Sequence, residues 1–191
     1  MFEELVQLDI DLFVYLNGLG TDSWDAFWMF YTTKFNWIPF YGLLLYLFYK
    51  RLTIKMFLIT ILVIVLMITF TDQITNLFKR VLVMRSRPCY NPDIENIIRL
   101  VKNSCGGKHG YFSGHASNSM AVAIFTSLML RSKYKYLPYI LVVWAMAMGY
   151  SRIYVGVHYP LDVLSGMLFG AISGFLFYKL FSYLQYRFER S

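Results

Sequence analysis

The sequence predicts an all-α fold: a polytopic membrane helical bundle of five to six transmembrane helices, preceded by an N-terminal interfacial amphipathic helix. Three observations carry that expectation. The chain is 58% apolar and only 15% charged, against roughly 25% charged residues in an average soluble domain. Apolar runs of spanning length recur along all 191 residues and leave no stretch for a separate soluble unit, so residues 1–191 read as one domain. Charge is also segregated. Glu3, Glu4, Asp9, Asp11, Asp22 and Asp25 are the only ionised side chains before residue 26, and the rest of the chain holds 18 basic and 5 acidic residues. The basic residues sit at the ends of apolar runs rather than along one stripe, which argues against a nucleic-acid partner and for membrane lipids and an anionic substrate.

Taken in order, residues 5–18 place apolar groups at helical spacing with acids on the other face, and Gly18 and Gly20 end that helix. The aromatic segment from Trp24 to Thr33 reads as a second interfacial helix, so residues 1–33 are expected at the interface and 35–191 in the bundle. Trp24, Trp28, Tyr31 and Trp37 suit an aromatic belt. The acidic N-terminus lacks the basic start of a cleavable signal peptide.

The first span is expected over Phe35–Tyr49, bent near Pro39 and closed by Lys50 and Arg51. A second begins at Lys55, is apolar from Met56 to Phe70, and continues past Asp72, Gln73 and Asn76 to about Met84. At ~1.5 Å per residue it outruns the hydrocarbon, so its last turns must leave the lipid or line a cavity. Arg85 to Phe112 is the one long loop and holds Pro88, Pro92, Gly106, Gly107 and both cysteines. Cys89 and Cys105 pair if that loop faces an oxidising compartment and stay free thiols otherwise; pairing is the favoured reading. Further spans follow from about Ser113 to Leu130, from Leu137 to Arg152, and from Pro160 to about Leu184. In the last, Gly166, Gly170 and Gly174 form a small-residue face for close packing. With five spans, the basic turns at 50–55, 131–135 and 187–190 share one side, cytoplasmic by the positive-inside rule. The long loop and the 153–159 turn then lie on the external side, unless residues 12–33 form a sixth span.

Three polar stretches converge on that external face. In Ser151–Asp162, Pro160 suits the first turn of a helix, which puts His158 just ahead of it and Asp162 inside it. An Asp that accepts the Nδ1 proton of a His leaves Nε2 as a free lone pair, the state of a nucleophile or base. Arg152 adds a planar fork of donors suited to phosphate. Ser113 reads as a helix N-cap, which turns the Gly114 and His115 amides outward as an anion site, and His115 could donate a proton to a leaving oxygen. Lys79, Arg80, Arg85 and Arg87 precede Pro88. Each feature also has an ordinary reading: a helix cap, a polar contact at a helix end, or a lysine reaching for the interface.

Together these residues resemble the type-2 phosphatidic acid phosphatase and vanadium haloperoxidase superfamily, in its membrane lipid phosphatase branch. That family's pattern is a Lys seven residues before Arg-Pro, then Pro-Ser-Gly-His, then Ser-Arg, five residues, His, three residues and Asp. Arg87-Pro88, Ser113-Gly114-His115, and Ser151-Arg152 with His158 and Asp162 match in order and spacing. Seven back from Arg87 is Arg80, so the sequence favours Arg80 over Lys79 at the Lys position, and Phe112 stands where the family has Pro.

The resemblance implies catalysis by His158 as nucleophile, Asp162 orienting it and His115 as acid and then base. It implies phosphate binding by Arg80 or Lys79 with Arg87, Ser113, Gly114 and Arg152. It implies no metal and no cofactor, since arginines supply the positive charge, and a lipid phosphate or pyrophosphate substrate at the external face of a bacterial inner membrane. Isoprenyl pyrophosphate, phosphatidylglycerol phosphate, phosphatidic acid and a lipid A phosphate all fit. A lipid phosphotransferase with the same intermediate and a non-catalytic membrane protein are the competing expectations.

Overall fold

The computed structural model describes residues 2–102 and 104–189, and no β-strand occurs among them. Seven α-helices follow one another: α1 (Phe2–Gly18), α2 (Asp22–Thr32), α3 (Ile38–Tyr49), α4 (Ile54–Leu77), α5 (Gly114–Leu130), α6 (Leu137–Tyr154) and α7 (Pro160–Glu189). A 3-10 turn over Lys34–Trp37 joins α2 to α3, and a π-helical turn over Phe78–Leu82 prolongs α4. Ile54–Leu82 and Pro160–Phe188 are each 29 residues long and apolar enough to cross a membrane.

The expected small-residue face organises the bundle. A β-carbon on Gly166 would lie 2.6 Å from the Ser113 carbonyl oxygen and one on Gly174 2.5 Å from that of Ala121, while one on Gly170 would run into the Ser117 carbonyl. The α7 backbone therefore rests directly on α5, an approach only Gly permits.

Apolar and polar positions are distributed as lipid surroundings demand. Leu58, Leu62 and Leu66 of α4 and Leu164, Leu168 and Ile172 of α7 face outward, while Thr60, Thr71, Thr75, Ser117 and Thr126 are buried. The buried hydroxyls of Thr60 and Thr71 bond to carbonyls one turn back on α4, which satisfies them without water.

Helix α1 meets the bundle along one narrow stripe. Leu5, Leu8, Leu12 and Tyr15 point away from the bundle, and the buried stripe is Asp9, Phe13 and Asn17. Asn17 spends its amide on the carbonyls of Arg99, Ile153 and Tyr154. The segment from Trp24 to Thr33 lies as α2 along α6: the Tyr31 hydroxyl donates to the Trp144 carbonyl at 3.1 Å, and Trp28 packs on Tyr150 and Tyr154. At the far end of the bundle, Arg51 donates to Ser132 at 3.1 Å and Lys55 to the Phe188 carbonyl at 3.5 Å. The basic turns at 50–55 and 131–135 and the end of α7 thus meet at one end; Arg190 is outside the described residues. Cys89 and Cys105 are joined in a disulfide with Cα atoms 6.2 Å apart.

Candidate active site

The site forms at the other end, where helix termini converge. After α6, Gly156 turns the chain at φ +84°, and a β-carbon there would meet the Arg99 carbonyl oxygen at 2.5 Å. Pro160 then starts α7. Asp162, in its first turn, accepts the Tyr159 amide on Oδ2 at 3.1 Å and places the same oxygen 3.3 Å from His158 Nδ1. The pair is closed to solvent, with His158 2% exposed. Burial first, and then the charges of Arg152, Arg87 and Lys79, hold the His158 pKa well below 6.5. The ring is neutral at pH 7, with Nδ1 tied to the carboxylate and Nε2 carrying the lone pair.

The first turns of α5 and α7 are tied together. The Ser113 amide donates to the Asp162 carbonyl at 2.9 Å, while the Ser113 side chain caps α5 by accepting from the Ala116 amide at 3.5 Å. The leading amides of α5 have no carbonyl within their own helix and suit an anion. His115 sits one residue into that turn, and the charges of Arg152, Lys34 and Lys79 bear on its ring.

Three cations surround this opening. Arg152 is 4% exposed; one terminal nitrogen bonds to the Thr32 hydroxyl, and its Nε has no partner among the described residues. A buried donor left unspent costs about 1–3 kcal/mol, a cost that an anion would remove. Arg87 is held by the carbonyls of Cys105 at 2.7 Å and His109 at 3.3 Å, and burial pulls its pKa down.

The third cation is Lys79, which corrects the expectation of Arg80. Lys79 Nζ lies 3.7 Å from where a β-carbon on Gly114 would stand, whereas the Arg80 side chain is exposed. The reason is the π turn over Phe78–Leu82, where the Val83 amide reaches back to the Phe78 carbonyl at 3.0 Å. A turn widened by one residue absorbs the extra position between Lys79 and Arg87.

The structure thus brings His158, Asp162, His115, Ser113, Gly114, Lys79, Arg87 and Arg152 to one place and leaves Arg80 outside. It adds residues the sequence did not single out. A β-carbon on Gly110 would be 3.0 Å from Arg87 Cγ, 3.2 Å from Asp162 Oδ2 and 3.4 Å from His158 Nδ1, so its bareness lets the long loop lie on the pair. Thr32 anchors Arg152. Arg85, in the basic stretch before Pro88, pairs with Asp162 at 3.2 Å and with Asp9 at 2.7 Å. Phe112, in the family's Pro position, packs on Phe78 and Phe169. From His115 a cavity of about 350 Å³ runs between α3, α4 and α5. Lys34, Asp72 and Asn118 line it near His115, and Leu44, Phe48, Ile64 and Thr126 line it further along.

The sequence pattern of the PAP2 superfamily matches residues 56–186, the span that carries all three motifs. The chain belongs to the PAP2 superfamily. Among its relatives, the lipid A 4'-phosphatase of Bacteroides thetaiotaomicron is 38% identical over 93% of this chain and 79% of its own length. That of Porphyromonas gingivalis is 32% identical over 97% and 78%. Among solved structures, LpxE of Aquifex aeolicus superposes with a TM-score of 0.66 at 25% identity, covering 90% of this chain and 95% of its own. A PAP2-type phosphatidylglycerolphosphate phosphatase of Bacillus subtilis superposes with a TM-score of 0.72 at 22% identity, over 93% and 86%. This PAP2 protein is a membrane lipid phosphatase, a hydrolase acting on a lipid phosphate.

Proposed function

We propose that this PAP2 phosphatase removes a phosphate monoester from a lipid A-type glycolipid at the periplasmic face of the bacterial inner membrane. The observation that carries the chemistry is the buried, neutral His158 held by Asp162 and faced by Lys79, Arg87 and Arg152. In the first step His158 Nε2 bonds to phosphorus, the bond from phosphorus to the ester oxygen breaks, and His115 gives that oxygen its proton. In the second, His115 takes a proton from water, the water oxygen bonds to phosphorus, and the phosphorus–Nε2 bond breaks to release inorganic phosphate. The three cations, the Ser113 hydroxyl and the Gly114 amide stabilise the charge on the phosphoryl oxygens, so the reaction needs no metal.

The topology that suits this reading has five spans. The broken helix α2–α3 is the first and α4 to α7 are the others, with α1 across the site end. The basic turns at the opposite end favour the cytoplasm for that end, and the site end then faces the periplasm, where a disulfide persists. The cavity below His115 follows about 11 residues of α5, ~16 Å, and receives hydrocarbon while the headgroup meets the cations. Lipid A is preferred because the relatives that align over nearly the whole chain bear that substrate in their names.

The test is phosphate release by purified protein from lipid A carrying a 4'-phosphate, from an isoprenyl diphosphate and from phosphatidylglycerol phosphate, with EDTA present. Lipid A is expected to be the fastest substrate, and His158→Ala is expected to lose at least about 10³-fold in kcat, as when a covalent nucleophile is removed. Activity retained in His158→Ala would reject the mechanism, and a faster rate on the diphosphate would reject the substrate.

A further inference from the structure

We propose that α1 is a brace for the nucleophile, in which Asp9 acts through Arg85 as a positioning residue that sets the Asp162 carboxylate against His158. The inference rests on reading His158 and Asp162 as the nucleophilic pair.

Asp9 is 4% exposed on a helix whose Leu5, Leu8 and Leu12 face outward, and a carboxylate in that position is costly unless both its oxygens are engaged. Both are. Oδ1 accepts the Leu161 amide, in the first turn of α7, at 2.9 Å. Oδ2 lies 2.7 Å from Arg85 Nη2, an ion pair whose alignment falls short of a hydrogen bond. The other terminal nitrogen of Arg85, Nη1, donates to Asp162 Oδ1 at 3.2 Å. The guanidinium also lies 4.0 Å above the Tyr159 ring, which Phe13 of α1 packs against at 5.3 Å. Arg85 is thus fixed by two carboxylates and an aromatic face.

That division of the arginine fork decides what Asp162 can do. A guanidinium facing a single carboxylate tends to take both oxygens in parallel. If Arg85 took both from Asp162, it would compete for Oδ2, the oxygen that holds His158 Nδ1 and the Tyr159 amide. By occupying Nη2, Asp9 leaves Arg85 one contact with Asp162, on Oδ1, and keeps Oδ2 for the imidazole. The partners lie far apart in sequence, and Asp9 falls outside residues 56–186, where the family pattern matches.

The experiment uses the full-length protein in detergent micelles with 4'-phosphorylated lipid A. Asp9→Asn can still accept the Leu161 amide but gives up the charge that holds Nη2. The expected result is a kcat about tenfold lower with KM unchanged, the mark of an interaction used in the reaction rather than in binding. Asp9→Glu is expected to recover most of the rate. Because Asp9 acts through Asp162, Asp9→Asn is expected to cost nothing further in an Asp162→Asn background, whereas a purely structural role would multiply the two losses. Should Asp9→Asn not fold, Arg85→Lys replaces it: one ammonium cannot reproduce the shared fork, so kcat falls at constant KM. Wild-type kcat in Asp9→Asn, or in Arg85→Lys where it replaces that variant, or multiplied losses in the double variant, overturns the brace. If His158→Ala is inactive at the same time, the nucleophile reading survives that failure; if His158→Ala is active, both fall.

Discussion

Replacing Lys79 and Arg80 in turn by Met tests whether the π turn sets the register of the phosphate site. Lys79 Nζ stands 3.7 Å from the β-position of Gly114, at the first turn of α5, within reach of an anion held by the leading amides of that helix. A unit charge about 4 Å away contributes ~4 kcal/mol at an effective dielectric of about 20. Part of that is already used in binding the ground state. Loss of one preorganised donor to a developing negative charge costs about 2.7–4 kcal/mol, or about 10²–10³ in kcat. Lys79→Met is therefore expected to lose that factor. Arg80→Met removes an exposed side chain and is expected to stay within about twofold of wild type, the effect of an ordinary surface substitution. Colorimetric phosphate release from micellar lipid A measures both, with thermal unfolding to show that each variant is folded. Equal losses in the two variants, or a Lys79→Met protein at full rate, would refute the placement of Lys79 and the role given to the widened turn.

Three further outcomes follow from the same geometry. His158 is buried with a folded pKa below its unfolded value, so the stability it confers is whole above about pH 6.5 and is lost as pH falls toward the folded pKa, by at most about 1.4 kcal/mol per pH unit. Thermal unfolding from pH 7.5 to 5 should thus steepen more in wild type than in His158→Asn, and parallel curves would contradict the neutral buried ring. Gly170→Ala would drive a methyl into the Ser117 carbonyl and should cost about 1–3 kcal/mol of stability; an unchanged unfolding midpoint would mean that α7 rests on α5 less closely. Leu45→Trp, in the wall of the cavity, should slow hydrolysis of lipid A by about tenfold, ~1.4 kcal/mol, while sparing a small soluble phosphate ester. Equal slowing of both would show that the cavity does not hold the chain.

What the sequence made legible here is chemistry that is local to a helix end. Ser113 caps α5 and Pro160 opens α7 because φ preference and a short side-chain bond act within a few residues. The glycine face of α7 was legible for the same reason, since a four-residue period needs no knowledge of the partner. What escaped was set through space. A uniform helical register points to Arg80, and one widened turn places Lys79 in the site instead. The loop's hold on Arg87 depends on carbonyls of Cys105 and His109, 18 and 22 residues away, and no spacing rule predicts which backbone oxygens a loop will offer.

Asp9 shows what an inward acid on α1 requires. In water, an acid on an amphipathic helix belongs on the exposed face. In lipid, the leucines take that face, and an acid left on the inner side must find a cation and a donor or be neutralised. Inverting the solvent turns the polar stripe of a surface helix into an address, and Asp9, Phe13 and Asn17 lead to the start of α7 and the end of α6, two of the helix termini on which the site is built. Of the four acids on α1, Glu3, Glu4 and Asp11 stay exposed and Asp9 turns inward, and the partners Asp9 finds there indicate whether it serves the fold or the reaction.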